Sequence, residues 1–426
     1  MTDATALGNI RAARAELDAV IDEIRSVPGY EDFLAGPTFD DVATQAEVCP
    51  LVYLAAAEPG GVALVVRGTA VAHVPLDGLT AAALQERTMA HFSAYTSYRL
   101  APAAARSQWT RSLNDITSWL WDEVMGPVLS STADASDLVL IAGGLLGLLP
   151  LHAAWTSDPT RPTGRRYALD TVTITYAPNA RSLRAARRLA AEVGASRLLA
   201  VAEPRPVRGA PLPMAHLEAA TAVRAFVNAH ATLHGGEATF LAFESEAPKA
   251  DVLHLACHGF ANLASPLESG LLLAGGTVTL RRLMELRLRV RLAVLSACET
   301  ALPGTDLPDE VVALPTGLLQ AGVAGIVASQ WSVPDRATAM LMAEFYRCWR
   351  QEHRTPPNAL GSAQRWLRDT TNEEKASIIT ATLDDEAALL PRPVALEFLS
   401  RLNLSQPDSH SHAGIHNWAG FTYVGT

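Results

Sequence analysis

Asp251-Val-Leu-His-Leu-Ala-Cys-His-Gly259 and Leu292-Ala-Val-Leu-Ser-Ala-Cys-Glu-Thr300 are the two stretches that decide how this chain is read. Each is a short apolar run, long enough for one buried strand and too short for a typical helix. The first closes on His258-Gly259, and the second reaches Cys298 about forty residues later. The segment between them can return the chain parallel to itself. Parallel neighbours put His258 and Cys298 side by side at the carboxyl edge, where open α/β sheets carry their sites. An imidazole within hydrogen-bond reach of a thiol can take its proton and make a thiolate nucleophile at neutral pH. The expected chemistry is that of a cysteine hydrolase, most simply a peptidase.

Working outward, strand patterns at 198–202, 271–273 and 325–329 alternate with helical patterns near 182–193, 215–230, 280–287 and 311–321. Alternation of this kind predicts an α/β fold, a mostly parallel sheet covered by helices on both faces. Further helices are expected near 335–351, 358–369 and 394–403, with a last strand at 421–424. The amino side is a second strand-and-helix series. It opens with an amphipathic helix carrying Leu7, Ile10, Leu17, Val20, Ile21 and Ile24, stopped by Val27-Pro28-Gly29. Strands are expected at 51–55, 62–66, 71–74, 138–141 and 172–176, and helices near 80–100 and 108–129. The division drawn from this is an amino-terminal α/β half over 1–180 and a catalytic domain over 181–426.

A chain of 426 residues is too long for one ordinary core. Its net charge of −10 argues against non-specific nucleic-acid binding and against anionic membranes. The start lacks the basic and apolar regions of a signal peptide, and the most apolar run, near Leu138 to Leu151, is broken by Gly143, Gly144, Gly147 and Pro150. The four cysteines have no disulfide-framework spacing, so a reducing cytoplasm is the expected compartment.

Free cysteine is usually a small buried hydrophobe. Cys298 differs because it ends its strand, is followed at once by Glu299-Thr300, and precedes a Pro/Gly-containing loop. His254 reads as a satisfied core histidine inside its strand. His258 reads as the general base or acid, because Gly259 lets the backbone turn sharply behind it. The N–H groups of Gly259 and Cys298 are the candidate oxyanion hole. Spacing reveals no third carboxylate, so a backbone carbonyl is left to orient the imidazole. On an extended strand His254 and His258 share a face while Cys257 points away, and no paired metal-ligand spacing is present, so no metal is expected. His410, His412 and His416 read as a solvated loop. The glycines of 143–147 lack a phosphate-loop ending, and no cofactor or nucleotide is expected.

The strand at 325–329 runs into Gln330-Trp-Ser-Val-Pro-Asp335. By type Asp335 is a helix N-cap. If the strand lies beside that of Cys298, Trp331 can wall a substrate pocket and Asp335 can attract a basic side chain there. Glu299 is either a loop edge or a second acidic determinant.

Together His-Leu-Ala-Cys-His-Gly (254–259), Leu-Ser-Ala-Cys-Glu-Thr (295–300), Ala-Gly-Val-Ala-Gly-Ile-Val-Ala-Ser-Gln-Trp (321–331) and Trp-Ala-Gly-Phe (418–421) resemble a CHAT domain. Val-Pro-Gly-Tyr-Glu-Asp-Phe-Leu (27–34) and Leu-Leu-Pro-Leu-His-Ala-Ala-Trp (148–155) extend the resemblance over nearly the whole chain. The resemblance implies a caspase-like and separase-like cysteine peptidase with His258 and Cys298 as its dyad. It implies cleavage of a protein substrate, often within prokaryotic antiviral defence or cell-death pathways. By similarity to separases, Asp335 lines the pocket that selects Arg or Lys, and the amino half is an inactive, pseudo-protease-like counterpart. Ala301 stands where many members have Gly, and Ser-Ala-Cys-Glu-Thr is not the Gln-Ala-Cys-x-Gly of true caspases, so strict Asp specificity is not expected. Many members carry tetratricopeptide repeats, which this sequence lacks, so a separate activating or regulatory protein is the expected partner. The alternative function is a catalytically idle CHAT scaffold or signalling adaptor.

Overall fold

The computed structural model describes residues 3–28, 30, 33, 38–260, 262, 265–296, 314–385 and 387–426, with backbone alone for 3–11 and 228. Cys298 and Glu299 therefore lie outside the described residues.

The amino half supplies the strands β1 (Leu51–Ala55), β2 (Gly61–Arg67), β3 (Ala70–Leu76), β4 (Asp137–Ala142), β5 (Trp155–Ser157), β6 (Arg165–Tyr167) and β7 (Thr173–Tyr176). The carboxyl half supplies β8 (Arg197–Ala202), β9 (Asn228–His234), β10 (Val252–Ala256), β11 (His258–Phe260), β12 (Gly270–Leu273), β13 (Gly276–Thr279), β14 (Leu292–Leu295), β15 (Gly325–Ser329) and β16 (Phe421–Gly425). Eleven of these form one sheet in the order β3-β2-β1-β4-β7-β16-β15-β14-β10-β8-β9. Its pairings are parallel except β1–β2, β2–β3 and β15–β16. The two halves thus share a sheet, joined where β16, from the end of the chain, lies parallel to β7.

Alternate residues of each central strand enter different cores, as the two-residue period requires. Leu198, Ala200, Val252, Leu292 and Val294 pack on one side with the helix Asp335–Tyr346. Leu199, Val201, Leu253, Leu255, Ala293 and Leu295 pack on the other with Leu280, Leu283 and Leu318. Both faces are covered, so these strands read as unbroken apolar runs.

Three expectations shift. The helical pattern at 215–230 ends at Arg224, and its tail begins β9, an edge strand. Its sequence, Asn228-Ala-His-Ala-Thr-Leu-His234, has Leu233 as its one large apolar residue, because an edge strand packs less of itself. His258 does not continue β10. It opens β11 in a separate three-stranded antiparallel sheet, opposite Leu272, so His254 and His258 do not share a strand face. Asp335 is the first helical residue after Pro334, which occupies the N-cap position.

Candidate active site

Strands β10 and β14 are parallel neighbours, with Leu253 opposite Ala293 and Leu255 opposite Leu295. On its other edge β10 pairs with β8, while the chain leaving β8 turns outward to β9. The order therefore reverses between β8 and β10, and a crevice opens at the carboxyl ends of strands at such a point. A cavity of about 600 Å³ lies there, lined by His258, Gly259, Ser296, Asp335 and Glu218 among others. Tyr98, Arg99 and Arg106, from two helices of the amino half, also line it, as does Arg208.

The half-buried imidazole of His258 is held by the loop after β8. Its Nε2 lies 2.8 Å from the carbonyl oxygen of Ala210. A carbonyl only accepts, so Nε2 carries the hydrogen and Nδ1 is the nitrogen left for proton transfer. The orienting group is a backbone carbonyl, as the lack of a suitably spaced carboxylate suggested. The approach needs a glycine next door: a Cβ at Gly209 would stand 2.6 Å from Nε2. Glu203 fixes the start of this loop. Its N–H donates to the Ala256 carbonyl (2.9 Å), and its Oε1 accepts from Leu212 N–H (3.2 Å) and Arg205 Nη2 (2.6 Å). The Arg205 guanidinium holds the Glu203 carboxyl below its ordinary pKa. Glu203 also adopts a φ of 42°, a left-handed conformation unusual for a residue other than glycine and typical of functional turns.

The far end of the loop reaches Asp335. Met214 N–H donates to Asp335 Oδ2 at 2.8 Å, so the carboxylate caps the helix Ala215–Arg224 from outside rather than its own helix. One loop thereby ties the imidazole and the acid to one frame. Burial pushes the Asp335 carboxyl above its ordinary pKa, the Met214 N–H opposes this, and the nearby Glu218 and Glu203 add to the rise.

Beneath the cavity, His254 is fully buried. Its Nδ1 meets the Tyr346 hydroxyl at 2.9 Å, and its Nε2 lies 3.2 Å from Glu218 Oε1. The core role expected of His254 matches this placement. Trp331 differs from expectation. It is 2% exposed, packs edge-on to Trp109 with centroids 6.0 Å apart, and donates Nε1–H to the His416 carbonyl. It stands behind the cavity in the core, and Ser332, Val333 and Pro334 form the wall instead. His412 and His416 are half-buried rather than solvated, and this desolvation lowers both imidazole pKa values, that of His412 to about 4. Among the described residues no group of three or more His, Cys, Asp or Glu side chains is arranged to hold a metal, and no helix is long and apolar enough to cross a membrane.

Sequence reasoning missed Ala210 and Glu218. Ala210 acts through its backbone and leaves no side-chain signal. Glu218 does leave one: it is the acidic member of a buried stripe, Ala215, Glu218, Ala219 and Ala222, at helical spacing.

The family model described as CHAT domain matches residues 114–426. This is narrower than the span suggested by motif, since 27–34 falls before it. No curated protein matches the chain. Among solved structures, the Saccharomyces cerevisiae separase in a separase–securin complex at 2.6 Å shares 8% identity at a TM-score of 0.53, covering 96% of this chain and 33% of that one. A 3.0 Å structure of the same complex gives 8% and 0.53, covering 81% and 31%. The Arg-specific cysteine proteinase gingipain R shares 9% identity at a TM-score of 0.37, covering 74% of this chain and 67% of that one. The chain spans about a third of the length of the separase chains, and the likeness is one of fold.

Proposed function

We propose that this chain, which belongs to the CHAT domain family, is a cysteine endopeptidase using His258 and Cys298. The observation that carries the reading is the His258 imidazole, held at Nε2 by Ala210 in a cavity at the carboxyl ends of β10 and β14. His258 follows Leu255 by three residues, Cys298 follows Leu295 by three, and Leu255 and Leu295 are register partners.

In this reading the Cys298 thiol passes its proton to His258 Nδ1, and the thiolate attacks the scissile carbonyl. The N–H groups of Gly259 and Cys298 receive the developing oxyanion. As the C–N bond breaks, the imidazolium protonates the leaving amine. Water then hydrolyses the thioester with His258 as base, and the thiol is restored. Asp335 supports selection of a basic side chain on the acyl side of the bond, and Glu299 is kept as an acidic determinant beside the nucleophile. The substrate is a protein, and the chain is switched on by a separate regulatory protein within a cytoplasmic prokaryotic defence or cell-death pathway.

The test is labelling by a peptidyl acyloxymethyl ketone with Arg at its reactive end. Mass spectrometry should find the adduct on Cys298 in the wild type, and none in Cys298→Ala or His258→Ala. Labelling that persists in His258→Ala would sink the dyad. Absence of any selective adduct would favour the idle adaptor.

A further inference from the structure

We infer that a second cavity, where the β5–β6 hairpin meets the carboxyl-terminal segment 413–416, is a binding site for a small organic anion. The ligand is a carboxylate with an apolar body, received by Arg165.

This cavity measures about 290 Å³ and shares none of its described lining residues with the catalytic one. Pockets for small molecules begin at roughly 300 Å³, so the space suits a small molecule and not a length of chain. Leu113 and Ile415 make part of its lining apolar, while Thr110, Asn114, Thr163 and Arg165 make the rest polar. No acidic residue is among those described around it.

The hairpin fixes Arg165 there. The two-residue period of β6 puts Arg165 and Tyr167 on one face, and Trp155 stands opposite Tyr167 across the pair of strands. Arg165 is therefore the diagonal neighbour of Trp155, and its guanidinium carbon lies 3.7 Å from the centre of the indole ring. Its Nη1 donates to Asn114 Oδ1 at 2.5 Å, and Asn114 Nδ2 donates in turn to the Thr110 carbonyl at 2.7 Å. These partners hold the guanidinium in place without neutralising it.

An arginine withdrawn from water ordinarily pairs with an acid, because its charge is costly to desolvate alone. Arg165 is half-buried, yet no acidic side chain among the described residues forms an ion pair with it. Burial, and after it the charge of Arg106, holds the His416 imidazole in the same lining below its ordinary pKa. The local field is thus positive in a chain whose net charge is −10. With Nη1 taken by Asn114, the Nε–Nη2 edge keeps two parallel N–H groups, the match to the two oxygens of a carboxylate. One unpaired cation balances one negative charge, which favours a carboxylate over the nearly doubly charged phosphate monoester. A purely structural role, tying the hairpin to the helix Pro102–Leu120, predicts the same contacts to Trp155 and Asn114 but no preference for a charged ligand.

The experiment measures binding of benzoate, its neutral analogue benzamide and phenyl phosphate to the full chain by ligand-observed NMR. Benzoate should bind roughly tenfold more tightly than benzamide, the difference between a charged and a neutral hydrogen bond. That preference should vanish in Arg165→Gln and persist in Arg208→Ala, which alters only the catalytic cavity. If Arg165→Gln does not melt cooperatively, Thr163→Asp takes its place. It sets a tethered carboxylate in the cavity and should likewise remove the preference. Equal affinities for benzoate and benzamide, no binding of any probe, or a preference retained by a cooperatively folding Arg165→Gln would overturn the inference. So would a preference lost in Arg208→Ala instead, which would move the anion to the catalytic cavity, or tighter binding of phenyl phosphate than of benzoate.

Discussion

His152 and His258 stand one in each half of the chain, and their surroundings are opposites. His152 is 4% exposed and spends both ring nitrogens inside the protein, Nε2 on the Ala419 carbonyl and Nδ1 on the Tyr176 hydroxyl, each at 3.0 Å. Burial lowers its pKa to about 4, against a smaller opposing effect of the Ala419 carbonyl, so it stays neutral at physiological pH. His258 spends one nitrogen on Ala210 and turns toward a cavity. The backbone around them differs in the same sense. After β4, Leu146, Leu148 and Leu149 fold back into the core and fill the edge. After β8, the loop through Ala210 leaves the edge open and lends it polar groups. An edge of this sheet becomes a site only where packing leaves it unfilled, and amino-half helices with Arg99 and Arg106 complete the open one.

Exchanging the fates of the two histidines is the largest test of that contrast. His258→Ala should lower peptide cleavage by about a thousandfold or more, the scale of losing a general base, while changing unfolding free energy by less than about 1 kcal/mol. His152→Ala should do the opposite. It leaves the Ala419 carbonyl without its donor and the Tyr176 hydroxyl without its acceptor, the backbone N–H of position 152 still reaching that hydroxyl, which costs about 2–4 kcal/mol of stability in denaturant titration, with the turnover of the folded fraction unchanged. A His152→Ala variant as stable as wild type would break the contrast.

A smaller effect is expected from Gly209→Val, which leaves every ionisable group in place. Its Cβ would meet the imidazole edge at 2.6 Å, so ring or loop must move and Ala210 loses its hold on Nε2. Misplacement on the ångström scale lowers kcat by about tenfold to a hundredfold. Because Gly209 is exposed, Tm should hardly move. Steady-state kinetics should show kcat falling more than KM rises; an equal loss through KM would mean the loop acts on substrate binding instead of on the imidazole.

The layout of the central strands was readable because they are buried on both faces and therefore uniformly apolar. The pairing of β10 with β14 needed only two such runs and a connection between them. The site was readable only in part. His258, Gly259 and Asp335 carry side-chain or backbone signals at strand ends, and all three line the cavity. Trp331 carries the same kind of signal, yet sits in the core, because the position of a large indole in sequence does not say which side of the chain it packs on. Ala210 was illegible in principle, since its contribution is a carbonyl shared by every residue. The β9 edge strand was hidden for a related reason. Its register with β8 is set by backbone pairing, with a shift between Leu198 and Leu199, and not by an apolar pattern.

The smallest effect expected is also the one whose sign separates a site from a core. Asp335 is held above its ordinary pKa by burial, so the folded state binds a proton more readily than the unfolded chain does. Below the unfolded value of 3.8 both states are protonated and there is no penalty. As pH rises past that value the folded state alone retains the proton, stability falls, and the whole penalty is present above the folded pKa. Asp335→Asn keeps an oxygen for Met214 N–H and removes the charge. It should therefore raise Tm slightly at pH 7 and leave it unchanged near pH 3, while weakening binding of basic ligands. Asp251 is the internal control at the opposite end of β10. Burial works against its ionisation, but hydrogen bonds from Arg197 and Ser196 prevail and hold it at about 2. Its contribution to stability is complete above about pH 4 and lost as pH falls toward 2, so Asp251→Asn should lower Tm at neutral pH. Opposite signs from two carboxylates at the two ends of this region would mark Asp335 as a group kept for binding at the expense of stability; a loss of Tm in both would make it one more structural cap.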